Sequence, residues 1–221
     1  MTRLTIALLG GVALLGFASS SYAADLIVEA PVVTPGVVSV AGNWDGPYVG
    51  VFAGWANGTA DHTSLDPGND LDLTGWLLGA AVGANFTVGS GLVLGVVGDA
   101  AWSNISGEDD FPISTISHTI DWMATLRGKV GFDGGAFMPY LTAGLAVAGA
   151  TRDAESFDTD SQTHVGWTAG AGVEFAATES VSINLEYLFA DLGEQEYDTG
   201  GIPPTVGLTT NQVRLGLNWH F

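Results

Sequence analysis

The chain has 221 residues, 47% of them hydrophobic, with 32 glycines, no cysteine and a formal net charge of −19. Without cysteine there is neither a disulfide framework nor a thiolate metal site. With 5 cations against 24 acids, nucleic-acid binding is excluded, because neutralising phosphates takes Lys and Arg. Beyond the N-terminal run, no segment offers the roughly 20 apolar residues that a spanning helix needs. A hydrophobic, acidic, glycine-rich chain of this kind is awkward for a soluble enzyme. It suits a membrane β-barrel with lipid-facing strands and charged loops.

Residues 1–23 read as a signal peptide. Arg3 supplies the positive start, residues 4–17 the apolar run, and Ser21-Tyr22-Ala23 resembles a small-residue cleavage site, so cleavage is expected after Ala23. An uncleaved anchor helix would call for a longer run. The exported chain then keeps four cations: Arg127, Lys129, Arg152 and Arg214. Residues 24–46 hold Pro31 and Pro35 and show no steady period, which predicts a flexible periplasmic leader. A short plug in the lumen is the alternative for this stretch.

Residues 47–221 predict an all-β fold, an eight-stranded antiparallel transmembrane up-and-down β-barrel. Period-two alternation recurs over 48–57, 72–86, 92–104, 118–132, 136–151, 163–177, 180–191 and 209–221. In the last of these, Val213, Leu215, Leu217, Trp219 and Phe221 share one face, and Gln212, Arg214, Gly216, Asn218 and His220 the other. In the fourth, Ile120, Trp122, Ala124 and Leu126 are expected outward, with Asp121, Met123, Thr125, Arg127 and Lys129 inward. Connections alternate between long acidic ones (58–71, 105–117, 152–162 and 192–208) and tight turns (87–91, 133–135 and 178–179). That is the asymmetry of extracellular loops and periplasmic turns. An even strand number then leaves both barrel ends periplasmic.

The aromatics sort into two rows on the predicted lipid face. Trp55, Trp76, Trp102, Trp122 and Trp167 fall at the extracellular ends. Phe86, Phe132, Phe175, Trp219 and Phe221 fall at the periplasmic ends. Two belts are what two membrane interfaces require, whereas a soluble β-sandwich would bury aromatics without sorting them.

The predicted inner face collects Asp99, Asp121, Arg127, Lys129, Glu174, Glu186 and Arg214. Glu186 and Arg214 fall at mid-depth on neighbouring strands, as do Asp99 and Arg127. An eight-stranded barrel has an interior just wide enough for side chains to fill, and charges there must pair or be solvated. The expectation is a lumen largely closed by an ionic network. A narrow, gated water path lined by the same charges is the alternative.

His62, His118 and His164 fall toward the extracellular end. With Asp61, Asp121 or Asp160 they could hold a metal, or act as acid–base pairs, but their spacing matches no metal signature. Scattered exposed histidines are the plainer reading. No nucleophile-elbow motif is present, so no catalytic residue, metal or cofactor is expected and the chain is not read as an enzyme. The loop acids, among them Asp61, Asp66, Asp72, Glu108, Asp109, Asp110, Asp158 and Asp160, read as a solvated surface or as sites for divalent cations bridging to lipopolysaccharide.

Several stretches carry a family resemblance: W-D-G-P-Y-V-G-V-F-A-G-W at 44–55, D-W-M-A-T-L-R-G-K-V-G-F at 121–132, P-Y-L-T-A-G-L-A at 139–146, G-W-T-A-G-A-G-V-E-F at 166–175, S-I-N-L-E-Y-L-F-A-D-L-G at 182–193 and V-R-L-G-L-N-W-H-F at 213–221. Together they resemble the small outer-membrane β-barrel group of alphaproteobacteria, the "porin family" or outer-membrane immunogenic proteins, related to the OmpA transmembrane domain. Phe52 departs from the polar residue expected at its position. The resemblance implies residence in a Gram-negative outer membrane, among its lipid and lipopolysaccharide. It also implies Phe221 as part of the signal read by the barrel-assembly machinery, and no shared catalytic set. The functions it suggests are an envelope-integrity and surface-display role, a narrow porin-like channel for small solutes or ions, or a surface binder of haem or host ligands through His62, His118 or His164.

Overall fold

The computed structural model describes residues 42–62, 71–111, 114–154, 160–196 and 205–221. The predicted signal peptide and most of the predicted leader lie outside these residues. Eight strands follow in order: β1 (Gly46–His62), β2 (Leu71–Val88), β3 (Leu92–Phe111), β4 (Ser114–Phe132), β5 (Phe137–Ala154), β6 (Asp160–Ala176), β7 (Val181–Glu196) and β8 (Thr205–His220). Each pairs antiparallel with the next, and β1 pairs with β8 to close the barrel. Closure gives every strand a hydrogen-bonded neighbour on both sides and leaves no edge, the condition for a sheet in hydrocarbon.

In the lower part of the barrel, apolar side chains point out. Val51, Leu78, Val82, Leu126, Leu141, Leu145, Val165, Leu215 and Leu217 are all more than half exposed. Trp55 pairs with Trp76 across β1–β2 and Trp102 with Trp122 across β3–β4, all four outward. Trp167 also faces out, as do Phe86, Phe132, Phe175, Trp219 and Phe221 near the short-turn end. From Trp122 to Phe132 the strand advances ten residues. At ~3.3 Å per residue and a tilt of ~40° that spans ~25 Å, the height of an outer-membrane apolar band.

The strands do not stop at the tryptophans. They run 16 to 20 residues, well beyond the length needed to cross a bilayer. Within the long loops expected at 58–71, 105–117, 152–162 and 192–208, every described residue is strand; β3 reaches Phe111 and β4 begins at Ser114. Alternation continues through this region with its polarity reversed. On β2, Leu71, Leu73 and Leu77 are buried while Asp72 and Thr74 face water; on β8, Val206 and Leu208 are buried. With Ile105, Ile120, Met123 and Leu192 they form one apolar cluster inside the upper barrel. The wall is thus apolar-out in lipid and apolar-in above it, each zone turning its apolar side away from water.

Register breaks sit at the boundary between the zones. On β4, Ile120 and Trp122 pair with consecutive residues of β5, so Asp121 is the extra residue of a β-bulge. A one-residue insertion exchanges the faces beyond it. Ile120, expected outward, is 1% exposed, and Asp121, expected inward, lies on the exposed surface. A second bulge on β7 lies between Asp191 and Glu194 and uses Gly193 at φ +67°, a backbone region that side chains with a Cβ rarely adopt.

Candidate functional site

The lumen is filled in three layers. The middle one is ionic and sits about halfway between the two aromatic rows. Arg127 on β4 reaches Asp99 Oδ2 on β3 at 2.7 Å and Glu186 Oε1 on β7, across the barrel, at 2.7 Å. Its Nε also donates to Thr125 Oγ1 and its Nη1 to Thr142 Oγ1. Arg214 on β8 takes the other carboxylate oxygen of Asp99 at 3.2 Å, donates Nε to Gln212 Oε1 at 2.9 Å, and lies 4.8 Å from the centre of the Phe52 ring. Phe52, out of place as a non-polar inward residue, therefore acts as a flat support for a guanidinium. Glu186 and Arg214 are direct partners in the β7–β8 register, yet their side chains part and each pairs elsewhere. A void of about 30 Å³ lies among Asp99, Arg127, Glu186, Arg214, Asn184 and Tyr48, the space of very few waters.

The lower layer is built around Glu174 on β6. Its carboxylate accepts from Lys129 Nζ at 3.0 Å, from Asn218 Nδ2 at 2.7 Å and from the Ser182 hydroxyl, with His220 Nε2 at 3.3 Å. Lys129 lies between two aromatic faces, 5.1 Å from the Tyr48 centroid and 4.5 Å from that of Tyr140. Both rings lie flat against the wall because the residue beneath each is glycine. A Cβ on Gly83 would come within 2.4 Å of the Tyr48 ring, and one on Gly172 within 2.5 Å of Tyr140.

Below this layer the base is covered by residues 42–45. Trp44 is 3% exposed, packs with Val93, Met138 and Tyr140, donates Nε1 to Asp133 Oδ1 at 3.1 Å, and meets the His220 ring edge-on at 6.2 Å. Gly42 N–H bonds the Gly135 carbonyl, and the Thr87 N–H donates to Asp45. These end residues of the predicted leader are therefore docked on the barrel base. The upper layer is the apolar cluster described above.

Of the seven charges predicted for the lumen, six meet there: Asp99, Arg127, Glu186 and Arg214 in the middle, Lys129 and Glu174 below. Asp121 does not. Displaced by the bulge, it accepts a 2.7 Å hydrogen bond from Thr151 on the exposed face. His164, expected as an exposed histidine with surface ligation as the alternative, is fully buried on the inner wall, near the backbone of Leu192 and Gly193. His62 and His118 lie in β1 and β4, but their side chains fall outside what is described. Among the described residues, no cluster of three His, Cys, Asp or Glu side chains is placed to hold a metal ion. Asn218 and His220 were legible as inward residues of the last strand. Their convergence on Glu174 with Ser182 was not, and Trp44 carried no signal.

A closed all-antiparallel barrel with a broad apolar band outside, and at that level charges only inside, is a membrane β-barrel. The chain belongs to the outer membrane protein β-barrel domain family, whose model matches residues 10–221. It is 34% identical over 211 residues to the 25 kDa outer-membrane immunogenic protein of Brucella abortus, covering 95% of this chain and 94% of that one. It is 32% identical over 184 residues to a 22 kDa outer membrane protein of Rhizobium leguminosarum, covering 83% and 81%. Among solved structures, the outer membrane protease OmpT of Escherichia coli superposes with a TM-score of 0.50 at 8% identity, over 81% of this chain and 98% of that one. That likeness is one of fold alone. The protein is an outer-membrane β-barrel of a Gram-negative bacterium.

Proposed function

We propose that the protein is a non-catalytic structural and display element of the outer membrane. The observation that carries this reading is the filled lumen. Arg127 clamps opposite walls through Asp99 and Glu186, and the void beside them is about 30 Å³. A wall closed at the base by Trp44 and at the top by leucines has the character of a rigid peg. The upper strands hold an acidic rim above the bilayer, with Asp61, Asp72, Asp121 and Glu194 outward. Lipopolysaccharide and divalent cations are its proposed partners there, and the barrel-assembly machinery its partner during insertion, with Phe221 as the signal residue. Deleting the gene should sensitise cells to detergents and large antibiotics without slowing uptake of small solutes. Impaired uptake with an intact envelope would contradict the reading.

A narrow gated channel is the second reading. Arg214 Nη2 and Asn184 Oδ1 are buried without a hydrogen-bond partner beside the void, so water in the lumen has groups to bind. Haem binding through His164 loses support, because that side chain is buried.

A further inference from the structure

We propose that Lys129 and Asn218 become joined side chain to side chain by an isopeptide bond that the protein forms by itself across the lumen, with Glu174 carrying the protons.

Lys129 is the only lysine in the 221 residues. The middle layer of the lumen uses arginines as its buried cations, and a guanidinium keeps its proton. A primary amine can give one up, and the neutral amine is a nucleophile. Here that amine stands beside both a carboxylate and a carboxamide. Lys129 Nζ lies 3.0 Å from Glu174 Oε2, and Asn218 Nδ2 donates to Glu174 Oε1 at 2.7 Å. One carboxylate therefore holds both groups, one on each oxygen. Lys129 and Asn218 also border the same small void.

The surroundings fix this trio and keep it dry. Glu174 is fully buried, and Lys129 and Asn218 are 5% and 6% exposed. The Ser182 hydroxyl and His220 Nε2 both approach Oε1 and hold the carboxylate in place. Tyr48 and Tyr140 flank Nζ. The amide oxygen of Asn218 lies against β1 at Gly50, where a Cβ would come within 2.2 Å of it. Glycine there leaves the amide room to lie with Nδ2 turned to Glu174. Groups held this way react as parts of one molecule, and the absence of bulk water favours neutral products over an ion pair.

The bonds and protons balance. Lys129 Nζ gives one proton to Glu174 Oε2, and the neutral amine attacks Cγ of Asn218, forming the new C–N bond. Glu174 passes its proton to Nδ2. The bond from Cγ to Nδ2 breaks and ammonia leaves, while Nζ gives a second proton to Glu174. A buried ammonium–carboxylate pair and an amide are thus exchanged for a new amide, a neutral carboxyl group and ammonia. No oxidant, cofactor or outside acid is consumed. The products bury no charge, which removes the desolvation cost of the ion pair.

The test is mass spectrometry of the full exported chain, purified from its own outer membrane and then unfolded. The unmodified protein should weigh about 17 Da less than its processed sequence, the mass of the ammonia lost when the lysine amine displaces it. Trypsin should release residues 128–152 joined to residues 215–221, uncut at Lys129, in place of a free C-terminal peptide. Lys129→Arg keeps the cation but cannot make the bond, and Glu174→Gln cannot take up the proton; both should show the full sequence mass. Heat-modifiable gel mobility confirms that each variant folds. Should Glu174→Gln not fold, the unmodified protein and Lys129→Arg decide the matter. Full sequence mass with a free C-terminal peptide in the unmodified protein would overturn the proposal. So would a loss of ammonia confined to residues 215–221, which is Asn218 closing on its own backbone, or a bond formed equally well in Glu174→Gln.

Discussion

Arg127 and Glu186 start from strands three apart in the barrel, β4 and β7, and their side chains meet at 2.7 Å across the lumen. The contact ties opposite walls together at mid-membrane depth. It also releases Glu186 from Arg214, its neighbour in the register, so that Arg214 turns to Asp99. Two arginines and two carboxylates thus form one connected chain.

Breaking that chain should leave charges buried without partners. Glu186→Ala is expected to cost about 3–5 kcal/mol, and Asp99→Ala, which takes a partner from both arginines and leaves Arg214 without a carboxylate, at least as much. Asp121→Ala, outside the lumen, should stay within about 0.5 kcal/mol. Reversible urea unfolding in lipid vesicles measures all three.

Trp44 is predicted to be the lower seal. Trp44→Ala should destabilise the barrel by about 3–5 kcal/mol and open its base. The direct readout is labelling of an introduced thiol at Ala176→Cys, packed against the cluster that contains Trp44, by a water-soluble maleimide. Labelling should be slow with Trp44 present and fast without it; equal rates would remove Trp44 from that role.

Two glycines should resist any side chain. A Cβ on Gly75 would lie 1.9 Å from the carbonyl of Asn104, and one on Gly166 lies 1.8 Å from that of Asp191, both backbone atoms at register breaks. Gly75→Ala and Gly166→Ala should each cost more than about 2 kcal/mol, since backbone cannot swing aside. Gly128→Ala, whose nearest contact would be 3.9 Å, should be close to neutral. Folding yield and urea midpoints compare them.

The reversal of polarity predicts opposite responses to one substitution. Leu208→Ala, inside the upper barrel, should cost about 2–5 kcal/mol and speed cleavage of the extracellular end by added protease. Leu215→Ala faces lipid, where acyl chains fill the space left, and should cost less than about 1.5 kcal/mol with no change in proteolysis.

The membrane zone was legible because lipid imposes the sharpest period-two contrast a strand can carry. Val213-Arg214-Leu215-Gly216-Leu217 displays both faces without any structure. The upper zone was read as loops because its acids suggested solvent. The same alternation continues in Thr205-Val206-Gly207-Leu208, inverted, and marks a strand with water outside. Asp121 was misplaced because one inserted residue flips a face, and an insertion shows only against its partner strand. Depth along each strand brought Asp99 and Arg127 to the same level. The reach from Arg127 to Glu186 was not accessible, because it depends on how far side chains extend across a closed barrel.

The central claim is that the lumen is closed, and single-channel recording in a planar bilayer tests it most directly. The unmodified protein should show no steps, and Glu186→Ala or Arg214→Ala should introduce small ones by cutting the chain of charges. Steady, reproducible steps from the unmodified protein would contradict the account and make the lumen a path.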